Sequence, residues 1–495
     1  MNAAIILVLL VVLMLTGMPV SISLGLTTLM FLFTMTSVPI TQVALKLFTG
    51  IENFSIVAIP FFILAGNFLT HGGVARRMIN FTVTIVGHFY GGLALAGVLA
   101  CALFAAISGS SVATVVAIGS IMVPEMVKAG FPRRFGAGVI TTSGALGILV
   151  PPSIVMVLYA VSTNNSVSAM FIAGIVPGIV LAVMLGTTTW WLARRNDYPR
   201  VQRFAGRRYL RQTCSAFLGV FVSLAATAGP PLPLIGLLFH YTQSLFLGVV
   251  VSFLVWLPVA YQLAKRFPLG LRFEGLAVWN AYWESIWGLL LIVLVIGGIY
   301  SGVFTPTEAA ATAAVYAFVV VVFVYKELPM KRVPKVLLDS AAMSAMLLYI
   351  ITNAALFSFL MTSENIPQAM ADWLTGQGLG QIAFLAVVNV LLLVAGNVME
   401  PSSIVLVLAP ILYPVATRLG INPIHFGVLM MVNMEVGLCH PPVGLNLYVG
   451  SSIAKMGISE LTIAVLPWLA TMIVFLLMVT YWPALSLWLP DLVAG

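Results

Sequence analysis

Long apolar stretches broken by short polar clusters set the pattern of the chain. Charge-free runs at 53–75, 285–307, 340–363 and 461–490 reach the roughly 20 residues that a helix needs to cross hydrocarbon. Two longer runs, 78–124 and 135–193, must hold more than one pass. The pattern predicts crossing helices at 3–17, 19–36, 54–71, 135–163, 169–192, 279–302, 307–325, 340–363, 425–454 and 461–486. A further pair is predicted at 213–238 and 243–262, and an arm lying in the interface at 74–90. No lysine or arginine precedes Lys46, so the apolar start reads as a retained helix and not as a cleavable signal.

Two stretches, 91–128 and 380–417, are interrupted near their middles by small polar clusters, ISGSSVAT (107–114) and GNVMEPSS (396–403). As unbroken helix each would measure about 60 Å, twice the hydrocarbon thickness. Each therefore turns, either as two full spans with the turn outside or as a re-entrant hairpin whose tip rests at mid-depth. The serines can be read as hairpin tips or as small residues that let helices pack closely. Glu400 can shape a site, meet a cation, or cap the half-helix that begins at Pro401.

The prolines reveal a duplication. Pro124, Pro151, Pro152 and Pro177 recur as Pro414, Pro441, Pro442 and Pro467, each displaced by 290 residues. Chance at one such displacement would give about 0.6 coincidences. Their contexts agree, with ILVPPSIVMVLY (148–159) answering GLCHPPVGLNLY (437–448). Flanking charge orients the halves: Arg76, Arg77, Lys128, Arg133 and Arg134 surround the first hairpin, whereas Glu364, Asp372 and Arg418 surround the second. The first then has both ends in the cytoplasm and the second both ends outside, so the repeats are inverted.

A double proline removes amide donors and clashes with the preceding turn, so Pro151-Pro152 and Pro441-Pro442 either kink a span or split it into two half-helices. A split frees carbonyls that suit Na⁺ and a helix N-terminus that favours an anion. Thr141, Thr142, Ser143, Gly144 and Ser153 surround the first break, and Asn433, Glu435, Gly437 and Asn446 the second. Thr305 and Glu308 are placed to form a capping box.

Composition narrows the class. Of 495 residues, 61% are hydrophobic and 7% charged, which excludes a water-soluble globular protein. The net charge of +8 is spread between spans as loop-orienting charge, with one dense cluster from Arg194 to Arg211 suited to anionic lipid, so no nucleic-acid role follows. Cys101, Cys214 and Cys439 have no paired spacing. The histidines at 71, 88, 240, 425 and 440 form no catalytic or metal set, and no phosphate-binding GxxxxGK[ST] loop is present, so neither an enzyme nor an ATP-driven pump is indicated. His440 reads as a hydrogen-bonding residue beside the break. A channel would line several spans with polar residues, and two discrete clusters fit that less well.

AISGSSVATVVAIGSIMVPEM (106–126), GALGILVPPSI (144–154), GGIYSGVFTPTEAAA (297–311), VMEPSS (398–403) and NMEVGLCHPPVGLNLYV (433–449) together resemble the large membrane subunit of tripartite ATP-independent periplasmic (TRAP) transporters. The resemblance implies an all-α polytopic protein of the bacterial inner membrane, in which a transport domain with two re-entrant hairpins and two discontinuous helices slides against a scaffold. It further implies Na⁺-coupled uptake of an organic acid, with no other cofactor, and two partners: a small membrane subunit and a periplasmic substrate-binding protein. A carrier of carboxylates or inorganic anions that needs no binding protein is the alternative. Carried over by motif, Ser108, Ser110, Ser111, Ser153, Glu400, Ser402 and Asn446 are expected to face substrate. Ser108, Gly109, Ser143, Gly144, Gly147, Met399, Glu400, Asn433, Gly437 and His440 are expected around two Na⁺ sites. His440 stands where the family commonly has threonine, and Glu400 where aspartate is frequent.

The expected division is 1–73 as N-terminal scaffold, 74–193 as first repeat, 194–264 as basic loop with the added pair, 265–339 as further scaffold and 340–495 as second repeat. The added pair at roughly 204–264 is unlike the usual large subunit and is expected to cover part of the surface that otherwise meets the small one.

Overall fold

The computed structural model describes residues 2–36, 38–199, 275–377, 380–397, 399–441 and 444–494. The pair at 213–238 and 243–262, the arginines from Arg200 to Arg211, Cys214, His240 and Pro442 lie outside the described residues. Everything described is helix and connection, as hydrocarbon demands of a backbone that must satisfy its own polar groups. Among the described residues, nine segments are long and apolar enough to cross a membrane.

The chain opens with α1 (Asn2–Leu15), α2 (Val20–Met35), α3 (Ile40–Thr49) and α4 (Ala58–His71). The first repeat follows: the arm α5 (Val74–Val86), a hairpin of α6 (Gly92–Ser108) and α7 (Ser111–Lys128), then α8 (Arg133–Ser143), α9 (Leu146–Leu149) and α10 (Ile154–Ser162), and the long α11 (Val167–Arg195). Next come α12 (Gly275–Tyr300), α13 (Pro306–Val319) and α14 (Val333–Ser363). The second repeat, expected from 340, follows α14 and matches the first from its arm onward: α15 (Ile366–Gly376), a hairpin of α16 (Gln381–Gly396) and α17 (Pro401–Arg418), then α18 (Pro423–Cys439), α19 (Leu445–Ala454) and α20 (Ile458–Tyr481), closed by α21 (Ala484–Ala494).

The two repeats follow the same order, with α8 and α9 standing where the second has the single helix α18 and α21 without a counterpart among the described residues, and the described duplicated prolines fall at matching places. Pro124 and Pro414 lie inside the returning hairpin helices α7 and α17, Pro177 and Pro467 inside α11 and α20. Real breaks open at Pro151-Pro152 and at Pro441. Val150 leaves the helix at φ −76°, ψ 121° and Ser153 restarts it; His440 leaves at φ −90°, ψ 136° and α19 starts after Gly444.

The inversion follows from contacts. Arg77 pairs with Glu327 (2.6 Å) and lies 3.8 Å above the Tyr325 ring, so the start of the first arm and the end of α13 share one face. From there α14, 31 residues or about 46 Å of helix, crosses once and delivers the second arm to the opposite face. The broken helices run antiparallel and are tied at both ends. Tyr159, buried on α10, donates to the Pro423 carbonyl at 2.7 Å where α18 begins, and Arg134 at the start of α8 pairs with Glu460 (2.5 Å) just beyond α19. Gln381 donates to the Leu419 carbonyl (2.6 Å), closing the base of the second hairpin on one side.

Three expectations on element bounds change. The chain between 36 and 54 forms the amphipathic α3, with only Val43 buried, where no element was expected. The span expected over 461–486 stops at Tyr481, because Pro483 forces Trp482 out of helical geometry (φ −126°, ψ 80°). The span expected at 340 starts at Val333, where Pro334 suits a first turn. The Thr305–Glu308 capping box is present.

Candidate functional site: two tips against two breaks

Each hairpin tip is pressed onto the break of its own repeat. In the first repeat Ser110 caps α7, accepting from the Ala113 amide, and Ser153 caps α10, accepting from Met156. Ser108 shares a hydrogen bond with Thr114 (3.0 Å), whose hydroxyl also donates to the Ser110 carbonyl (2.8 Å). This small lattice of hydroxyls holds the tip while Gly109 turns it at φ 60°. Tip and break meet at backbone level: a methyl group on Gly147 would sit 2.6 Å from the Ser110 carbonyl oxygen and from the Ser111 nitrogen. Only glycine fits there, since both neighbours are main chain.

The second repeat repeats the plan at the same displacement. Gly437, 290 residues after Gly147, meets Gly396 so closely that a methyl group would sit 2.8 Å from its Cα. Met399 donates its amide to Ala395, Glu400 occupies the N-cap position of α17, and His440 bonds Asn397 at 3.3 Å. The Glu400 side chain does not cap the helix backbone; it accepts from the Ser403 hydroxyl (3.4 Å) and lies within reach of Ser402. That directs it toward the tip and not into a backbone cap. Pro441 sits in the break itself, half-buried; Pro442 lies outside the described residues.

The two assemblies touch. Asn446, buried on α19, donates to Ser111 at the opposite tip (2.7 Å), and the Cys439 thiol approaches the Thr141 carbonyl (3.5 Å). Ser108, Gly109, Ser110, Ser111, Gly147, Pro151, Pro152, Ser153 and Asn446 are thus gathered on one side. Met399, Glu400, Ser402, Gly437 and His440 gather on the other. Gly144 lies under Val115 of α7. Four helices, α7, α10, α17 and α19, begin at these junctions and direct their positive ends inward.

Beside the breaks the buried side-chain atoms without a hydrogen-bond partner are all oxygens: the Ser143 hydroxyl, Asn433 Oδ1, Asn446 Oδ1 and both carboxyl oxygens of Glu435. Ser143 and Asn433 are themselves 290 residues apart, and each lies one helical turn before the glycine that meets its tip, so both face the same way. Asn433 spends its amide hydrogens on Asn389 (2.7 Å) and the Leu429 carbonyl (3.2 Å), which leaves its oxygen over. Glu435 is fully buried near the Leu149 backbone and Cys439, yet neither oxygen completes a hydrogen bond. Each such buried acceptor costs about 1–3 kcal/mol. A set of oxygens without donors suits a hard cation.

The sequence matches the family described as tripartite ATP-independent periplasmic transporter, DctM component, over residues 7–251 and 235–485. It is 58% identical to the C4-dicarboxylate TRAP transporter large permease protein DctM of Rhodobacter capsulatus, across 99% of both chains. The chain belongs to this family. A protein of the same description from Pseudomonas aeruginosa is 44% identical, over 95% of this chain and 94% of that one. The sialic acid TRAP transporter large permease protein SiaM of Vibrio cholerae is 29% identical, over 98% and 97%. In structure the chain resembles the Alcanivorax borkumensis YdaH transporter, with a TM-score of 0.56 at 16% identity over 92% of this chain and 89% of that one, a likeness of fold. The permease is therefore a multi-pass subunit of the bacterial inner membrane and a transport component, not an enzyme.

Sequence reading missed several members of this region. Asn389 carries a chain from Asn433 to Thr480 (3.0 Å), and its signal was a lone amide in the apolar arm α16. Asn397, the partner of His440, lay inside the quoted tip cluster without a role. The Thr141 carbonyl and the Tyr159 hydroxyl carry no local signal of their partners, which lie about 300 and 264 residues away in sequence.

Proposed function

We propose that this permease imports C4-dicarboxylates together with Na⁺, by sliding its paired tips and breaks past the scaffold of α1–α4 and α12–α14. The carrying observation is the pair of unpartnered oxygens at equivalent positions, Ser143 and Asn433, each facing a junction where unwound main chain meets a hairpin tip. Ser108, Gly109, Gly144 and Gly147 surround the first ion, and Met399, Glu400, Gly437 and His440 the second, with Ser110 turned to substrate. Bound cations offset the desolvation of these oxygens and make the four converging helix N-termini a stronger seat for carboxylates. Ser111, Ser153, Ser402 and Asn446 line the same junctions and supply hydroxyl and amide contacts to substrate. The substrate class rests on the two relatives of 58% and 44% identity named for C4-dicarboxylates. The tripartite family supplies the partners: a small membrane subunit that enlarges the scaffold, and a periplasmic protein that delivers the acid.

Proteoliposomes holding the permease and its small subunit, given the cognate binding protein loaded with succinate, test the whole reading. Uptake should require the binding protein and an inward Na⁺ gradient. Equal uptake with choline replacing Na⁺ overturns the coupling, and equal uptake without the binding protein supports the stand-alone carrier.

A further inference from the structure

Between scaffold and transport elements, on the side to which α10 and α14 lead, lies a cavity of about 390 Å³, within the range of small-molecule sites, about 300–1,000 Å³. Its walls are α3 and α14 on one side and α10 and α17 on the other. Leu158 and Leu406 line it, only five residues beyond Ser153 and four beyond Ser402, or about 6–8 Å along their helices. The cavity therefore sits one to two turns outward of the tips and breaks.

One charge faces it, Lys46. Its ammonium lies 5.4 Å from the centre of the Phe359 ring, which also lines the cavity, and among the described residues no carboxylate pairs with it. The other polar lining groups, Thr49, Ser162, Ser358 and Thr362, include three hydroxyls whose hydrogens already go to carbonyls of their own helices (Thr49 to Leu45, Ser162 to Tyr159, Thr362 to Ser358). That makes the Lys46 ammonium the principal donor for an anion. Its setting sharpens the point. Of the described basic residues only Lys46 and Arg418 lie on the outer side, and Arg418 is bound to Asp372 at 2.6 Å.

We propose that this cavity is an outer vestibule in which Lys46 receives a carboxylate of the incoming substrate before it reaches the tips. The inference rests on the carboxylate reading above. A flexible ammonium held by an aromatic face gives an anion a shallow seat, so the vestibule captures without retaining. Basic charge here raises the rate of arrival, an effect that salt screens.

Two measurements on the full transporter decide it. In succinate uptake driven by loaded binding protein, Lys46→Gln should lower transport efficiency about tenfold and Lys46→Arg should keep it, while raising ionic strength should slow the wild type and leave K46Q unaffected. Docking of the loaded binding protein, read by co-sedimentation, should not change. Unaltered efficiency in K46Q, an equal loss in K46R, or loss of docking each overturns the proposal. Independently of transport, Thr362→Cys should react about five- to tenfold faster with a sulfonate-bearing than with a trimethylammonium-bearing methanethiosulfonate, and adding K46Q should erase that preference. The parent chain reports the background from Cys101, Cys214 and Cys439. A preference unmoved by K46Q overturns the vestibule. Should the wild type take up no succinate, the carboxylate reading fails while the labelling ratio still reports the charge of the cavity.

Discussion

The two tip-and-break junctions share a backbone plan and differ in chemistry. The first is built from hydroxyls and main chain, with Ser143, Ser108, Ser110 and Thr114, and its own repeat supplies no charged side chain to it. The second replaces serine by Asn433 at the equivalent place and adds a half-buried carboxylate, Glu400, at the tip. Duplication preserved what the main chain needs, glycine at 147 and 437 and proline at the breaks, and released the side chains. A neutral junction discriminates a cation through geometry, whereas a charged one adds Coulomb attraction that salt and substitution both weaken.

The largest break in the comparison should come from the shared backbone. Gly147→Ala and Gly437→Ala each press a methyl group into main chain at 2.6–2.8 Å. Overpacking of that kind costs about 1–3 kcal/mol, so uptake should fall about 5- to 150-fold in both. A normal rate for either would show that its tip can stand off the break. Next is Glu400→Gln, which removes charge and keeps shape. Half-saturation by Na⁺ should rise about tenfold, while Ser108→Ala shifts it by about threefold or less, because a charged contact is worth roughly twice a neutral one. Equal shifts in a Na⁺ titration would erase the distinction between the junctions.

Smaller effects are expected one turn back. Ser143→Ala and Asn433→Ala should each raise the Na⁺ concentration for half-maximal uptake about three- to tenfold, and the two should combine additively if the junctions load separately. Asn433→Ala also releases Asn389, so its thermal midpoint should drop more than that of Ser143→Ala. The smallest change belongs to the ties. Tyr159→Phe removes the hydroxyl's bond to the Pro423 carbonyl and should cost about 1 kcal/mol, and Arg134→Gln, whose pair is largely exposed, about 0–1 kcal/mol, both read as melting shifts of the detergent-solubilised protein.

Much of this architecture was legible in the chain. Proline spacing exposed the duplication because a broken membrane helix needs a residue without an amide hydrogen, and flanking charge gave the inversion because loops keep their arginines on one side. Ser108–Ser111 and Met399–Ser403 stood out as polar clusters where hydrocarbon forbids unpaired groups. What could not be read was register between distant elements. Nothing around Asn446 names Ser111, and nothing around Thr141 names Cys439, since these contacts depend on how two antiparallel half-helices slide past one another. Helix α3 escaped because ten residues with one buried side chain are too short for a spanning signal, and α20 ended early on a single proline.

The ties at both ends of the broken helices have a consequence for fidelity. With Tyr159 joined to Pro423 at one extremity and Arg134 to Glu460 at the other, the two junctions are held in one register, so in the sliding movement proposed above whatever boards one would travel with whatever boards its twin. A carrier built in this way resists slippage: half-loaded cargo has no separate moving part to ride on.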